Sequence, residues 1–204
     1  MAYVPTKAGV ENGVEILATA QDAAVSLQEE IQPASTRSDL VDEAVPAPNA
    51  QDLAPTIGLP SRLLIPKINV DAKIEHLGLT SGGAVMAPAG GRDTSWFTGG
   101  VRPGQNGSAL ISGHYGIWQD STNSVFNFLH TLKPGDLVQV RDENGNLISF
   151  KVKSMRVYDK EDKVPELFEK SGEPRMNIIT CHGTWLPGEQ TYNQRLVVFT
   201  ELVN

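Results

Sequence analysis

The sequence sets Asp142-Glu143-Asn144-Gly145-Asn146 between two runs rich in apolar and β-branched side chains, 137–141 and 147–157. Asn-Gly accepts the left-handed backbone that a tight turn between strands needs, so this stretch predicts a β-hairpin. The same texture continues on both sides. Runs at 62–65, 72–77, 108–113, 176–181 and 195–203 are short and apolar, and Gly82-Gly83, residues 88–91 and Lys133-Pro134-Gly135 punctuate the intervals. Strand after strand with turn signals between predicts a mostly β fold, a closed antiparallel or mixed barrel with short peripheral helices. The helices expected are one over 124–132, stopped by Lys133-Pro134-Gly135, and a single turn over 165–170 inside a charged loop at 160–171.

The first 60 residues have a different character. Val10, Val14, Leu17, Ala24, Leu27 and Ile31 recur at intervals of three, four or seven, which predicts an amphipathic helix over 8–31 ended by Pro33. Residues 32–60 then shift to Pro, Ala, Ser and acidic side chains, with Pro46-Ala47-Pro48, and read as a linker. The division is therefore an appendage at 1–60 and a β domain at 61–204, the latter long enough to bury a core. Charge follows the same boundary. Residues 1–60 hold Lys7 and Arg37 against nine acidic side chains, the whole net charge of −7, while the remainder carries fifteen of each sign. A neutral domain without a basic stripe argues against nucleic acid as the partner and for recognition by shape and apolar contact. No apolar span approaches twenty residues, and 14–20 is short and interrupted by Glu15, so the chain reads as soluble.

Three of the predicted strands end on or carry reactive side chains. Cys181, the single cysteine, closes Asn177-Ile178-Ile179-Thr180; His114 closes Ala109-Leu110-Ile111-Ser112-Gly113; Arg195 opens the last run. A cysteine attacks as its thiolate, and a nearby cation favours that form. A tetrahedral intermediate needs donors for its oxyanion, and a leaving amine needs a proton that His114 could supply. Arg195 stays protonated at accessible pH and cannot be the base, so its part would be electrostatic. The plainer alternative is a buried cysteine packed as a small hydrophobe. With one cysteine no intramolecular disulfide is possible.

Ile179-Thr180-Cys181 resembles the threonine-x-threonine-cysteine strand end of sortases, the bacterial cysteine transpeptidases, with the first threonine replaced by Asn177 or Ile178. Ser112-Gly113-His114 is similar to the glycine-histidine of that family, and Gln194-Arg195-Leu196-Val197-Val198 to its arginine strand. Residues 64–70 resemble its opening strand and 126–136 its helix-then-strand entry, so the likeness runs from about Arg62 to Asn204. It implies a sortase barrel in which Cys181 attacks a leucine-proline-x-threonine-glycine type sorting signal of a surface protein and forms a thioacyl enzyme. An amine of a cell-wall precursor or a pilin lysine then resolves that intermediate. His114 would shuttle the proton, Arg195 and backbone amides would hold the oxyanion, and Thr180 and Trp185 would contact substrate. Residence at the outer face of the bacterial membrane is implied too, with an anchor outside this chain.

Two other readings stand beside this one. L,D-transpeptidases also use Cys and His on a β scaffold, but they place glycine before the cysteine where this chain has Thr180. A non-catalytic surface module would bury Cys181 and pair Arg195 with a carboxylate. In the loop expected between Cys181 and Arg195, Trp185, with Tyr192 nearby, either walls a peptide groove or caps the barrel end. His130 reads as structural within its helix, His182 as facing solvent, and His76 carries no ligand signature. No zinc spacing occurs, and no cofactor is expected. Asp142, Glu143, Glu161 and Asp162 could gather around calcium, although carboxylates in hairpin loops are usually solvated.

Overall fold

The computed structural model describes residues 13–14 and 57–203. Ten strands follow in chain order: β1 (Gly13–Val14), β2 (Pro60–Ile65), β3 (Val70–Leu77), β4 (Val85–Met86), β5 (Thr94–Phe97), β6 (Gly107–Gly113), β7 (Leu137–Asp142), β8 (Leu147–Asp159), β9 (Pro174–Leu186) and β10 (Thr191–Leu202). Eight of them close a barrel in the order β10-β8-β7-β2-β3-β5-β6-β9. The pairs β3–β5 and β6–β9 are parallel and the rest antiparallel, so the mixed barrel expected from the sequence forms.

Alternation along the strands builds two apolar layers. Leu63, Ile65, Ile111, Phe150, Ile178 and Val198 point inward and fill the barrel. On the outside, Leu110, Ile179 and Val197 meet Val164 and Leu167 of the covering segment, which contains the 3₁₀ turn Pro165–Phe168. Strand β6 is consequently buried along its whole length, which is why 108–113 reads as a continuous apolar run rather than an alternating one.

Several local expectations change. Residues 124–132 form turns and the 3₁₀ segment Leu129–Thr131 in place of a helix. Asn123, Ser124 and Asn127 bond to loop groups there, with Ser124 N donating to Gly116 O and Asn127 Oδ1 accepting from Gly116 N, and such competition is what disfavours a short helix. β5 was absent from the predicted strands. It has four residues, Thr94-Ser95-Trp96-Phe97, too few to show a period. The span 182–194 is no loop: β9 and β10 run on as a hairpin to a turn at 187–190, with a register shift between Tyr192 and Gln194. Within the predicted helix 8–31 only Gly13 and Val14 are described, and they pair with Met86 and Val85 of β4. The rest of that helix and the linker lie outside the described residues. Among the described residues no helix is long and apolar enough to cross a membrane.

Candidate active site

Register brings the three predicted side chains together. Cys181 stands directly opposite Arg195 in the β9–β10 pair, and Thr180 pairs with Gly113 in the parallel β6–β9 pair, so His114 follows where β6 ends beside Cys181. Alternation from Leu110, Ile179 and Val197 then sends His114, Cys181 and Arg195 to the same outer face. Thiol, imidazole and guanidinium form a row across three neighbouring strands.

Thr180 faces the other way. It is fully buried, and its Oγ1 donates to Gly113 O at 2.8 Å. The expectation of a substrate contact at Thr180 is thus corrected: a residue next to Cys181 on a strand must point to the opposite face, and here it stitches β9 to β6 immediately before His114.

Arg195 is buried with no exposure. Its Nη1 donates to Tyr192 O (2.8 Å) and Gln194 O (2.9 Å), and Nη2 to Thr191 Oγ1 at 3.2 Å. Nε has no partner. Among the described residues no carboxylate lies within ion-pair distance of Arg195, and its charge acts on Cys181 opposite it and on Glu161. A buried cation held by neutral groups, with one N–H left over, is able to bind negative charge brought beside it. Partial exposure of Cys181 and this unpaired guanidinium both disagree with the non-catalytic module.

His114 Nε2 lies 2.8 Å from Pro88 O, and its ring packs on Trp118 at 4.5 Å between centroids, tilted by 44°. Burial pushes the imidazole below its ordinary range, opposed by the Pro88 carbonyl and by Glu75. Burial pushes the Cys181 thiol up, opposed by Arg195 and by backbone hydrogen bonds from Tyr192 and from Cys181 itself. Sequence reasoning expected cationic neighbours to keep the sulfur ionised. Desolvation outweighs them, so burial favours the neutral form at both the thiol and the imidazole.

Aromatic rings flank this row. Trp185, 40% exposed, meets Tyr192 at 5.2 Å, Tyr192 meets Tyr115 at 5.2 Å, and Tyr115 meets His182 at 5.6 Å. His182 is therefore half-buried rather than solvent-facing, with its ring 6.4 Å from that of His130 and its Nδ1 without a partner. Burial first, and then His130, push its imidazole down. His130 sits exposed in the 3₁₀ turn, and His76 bonds Pro60 O and stacks edge-on against Trp96. The partners of His114 had no sequence signature, since a backbone carbonyl contact leaves none. Trp118, four residues after His114, was the one readable hint.

The acidic residues named for calcium are committed elsewhere. Asp142 accepts from Gly58, Asn144 and Asn146, Glu143 from Leu59 N, and Asp162 from Asp159 N, while Glu161 pairs with Lys160. Among the described residues no three His, Cys, Asp or Glu side chains group to hold a metal ion.

A closed eight-strand barrel with thiol, imidazole and guanidinium abreast on its outer face has the architecture of an enzyme that transfers acyl groups through sulfur. The sortase domain family matches residues 63–203, and the chain belongs to the sortase family; its membership makes it a cysteine transpeptidase and sets L,D-transpeptidases aside. Similar solved structures include sortase C-1 from Actinomyces oris, 25% identical with a TM-score of 0.55, covering 71% of this chain and 73% of that one. Streptococcus agalactiae sortase C1 in complex with MTSET is 21% identical, TM-score 0.56, over 71% of this chain and 67% of that one. Sortase A from Corynebacterium diphtheriae is 20% identical, TM-score 0.57, over 72% and 62%. A comparison with curated proteins finds no significant match.

Proposed function

We propose that Cys181, His114 and Arg195 carry the transpeptidation. Cys181 attacks the carbonyl of a leucine-proline-x-threonine-glycine type sorting signal on a surface protein, and the thioacyl enzyme is resolved by an amine of a cell-wall precursor or a pilin lysine. His114 protonates the leaving amine and deprotonates the incoming one. Arg195, through its unpartnered Nε, holds the developing oxyanion with backbone amides beside Cys181. The Trp185–Tyr192 pair forms a wall beside the peptide, and the reaction takes place at the outer face of the bacterial membrane without a metal or cofactor. The observation carrying this reading is the register that sets Cys181 opposite Arg195 and one step beyond the Thr180–Gly113 pairing that leads into His114.

The test is incubation with a quenched sorting peptide and an added amine, either a cell-wall peptide stem or a lysine peptide. Ligated product should form and should vanish in Cys181→Ala. Undiminished ligation by that variant would end the proposal, and the amine that competes best identifies the acceptor.

A further inference from the structure

A strap follows β4 across the outer face toward His114. Met86 O lies 2.9 Å from Ser95 Oγ and 3.1 Å from Ser112 Oγ, and the two hydroxyls are themselves 2.7 Å apart, so their two hydrogens serve three contacts. Both serines are buried, with 1% and 0% exposure. Hydroxyls in such a place cost free energy unless their bonds serve the fold or the site. Two residues on, the same strap presents Pro88 O to His114 Nε2. Proline removes one soft torsion from that segment, so anchoring Met86 restricts where Pro88 O can sit. From the other side Trp118 presses on the imidazole, and it lies so close to Gly91 that an added Cβ there would meet its ring at 2.3 Å.

A carbonyl can only accept, so the hydrogen of the neutral ring sits on Nε2 and the lone pair on Nδ1. We propose that Ser95 and Ser112 are positioning residues for transpeptidation, holding His114 through the Met86–Pro88 strap in the Nε2–H tautomer with Nδ1 as the proton-exchanging atom. The inference rests on the assignment of His114 as general acid and base. The proton inventory closes. Nδ1 takes the thiol proton as the S–C bond forms and gives it to the leaving nitrogen as the C–N bond breaks. It then takes a proton from the incoming amine as the new amide forms and returns it to sulfur on release of the product.

Two measurements test this. In the parent protein, long-range proton–nitrogen NMR correlations of the neutral His114 ring should show hydrogen on Nε2. A ring protonated mainly on Nδ1 overturns the proposal without any variant. In the Ser95→Ala/Ser112→Ala double variant the tautomers should mix, and kcat should fall about ten-fold, part of the 10²–10⁴ that a positioned acid–base group contributes, while KM for the peptide holds. A folded double variant with the parent's kcat and tautomer overturns it. Should that variant fail to fold, Ser95→Ala, which keeps the Ser112 hydroxyl, is read by the same two signals. Full activity in His114→Ala would instead remove the general acid–base assignment beneath the proposal, so the two failures are distinguishable.

Discussion

At Cys181 and His114 two shifts run in opposite senses, thiol upward and imidazole downward, both led by burial. The pair shares a single proton over a wide interval. As pH falls through the lowered imidazole value the pair gains a second proton and stops working; as pH rises through the raised thiol value it loses its last. The profile of kcat/KM should be a bell broader than the interval between the ordinary values of about 6.5 and 8.5. A peptide assay across that range checks this, and limbs lying inside the interval would contradict it. Arg195→Ala removes the charge that opposes burial at the sulfur, so the basic limb should move up. The same change should lower kcat by about 10²-fold or more, as for loss of an oxyanion donor. Lysine at this position should not restore it, because the fork bonds two carbonyls and Thr191 at once.

At the scale of elements, the glycine before His114 has a steric cause. Gly113 faces the barrel interior, and a Cβ there would lie 2.5 Å from Phe126 Cε2 and 2.9 Å from Val125 Cγ1. Gly113→Ala should destabilise the protein by about 1–3 kcal/mol, as overpacking does, and should lower kcat further by displacing His114. Thermal unfolding and kinetics measure the two effects. A variant with parental Tm and kcat would show that Phe126 yields freely. Strands with clear turn signals at both ends, β2, β3, β6, β7 and β8, were legible within a few residues, and so were His114 just after β6, Cys181 and Arg195 as candidates. The β9–β10 extension was not legible. His182-Gly183-Thr184 looks like a loop because Gly183 adopts a φ of +84 at the hairpin's irregularity, next to Asn193, and glycine in a strand marks a bulge as readily as an end. The two-sided burial of β6, β9 and β10 likewise hid which of their faces is the barrel interior, although strand alternation by itself sets Thr180 and Cys181 on opposite faces.

For the molecule as a whole, one tie that holds the barrel lies at the end remote from the site. Asp142 lies at the end of β7 beside the start of β2, the barrel end where β6 and β9 begin and opposite the one that carries His114. Its carboxylate accepts from Gly58 N (2.9 Å), Asn144 N (2.9 Å), Asn146 N (2.8 Å) and Asn146 Nδ2 (2.9 Å), tying the chain entering β2 to the β7–β8 hairpin. Burial alone would raise this carboxyl, but the Asn146 side chain and the backbone donors outweigh it and hold it below its ordinary range. A depressed folded value means that the ionised group stabilises the fold above the unfolded value of about 3.9, and that this stabilisation is lost as pH falls through the folded one. Asp142→Ala strands several buried N–H groups and should cost on the order of 3 kcal/mol at neutral pH. Urea midpoints of the variant and the parent should therefore differ widely at pH 7 and converge as pH falls below about 4. The folded variant should keep the parental kcat/KM, because Asp142 lies at the barrel end opposite the one that carries His114. A midpoint difference independent of pH would show that the hydrogen bonds, and not the charge, hold this end shut.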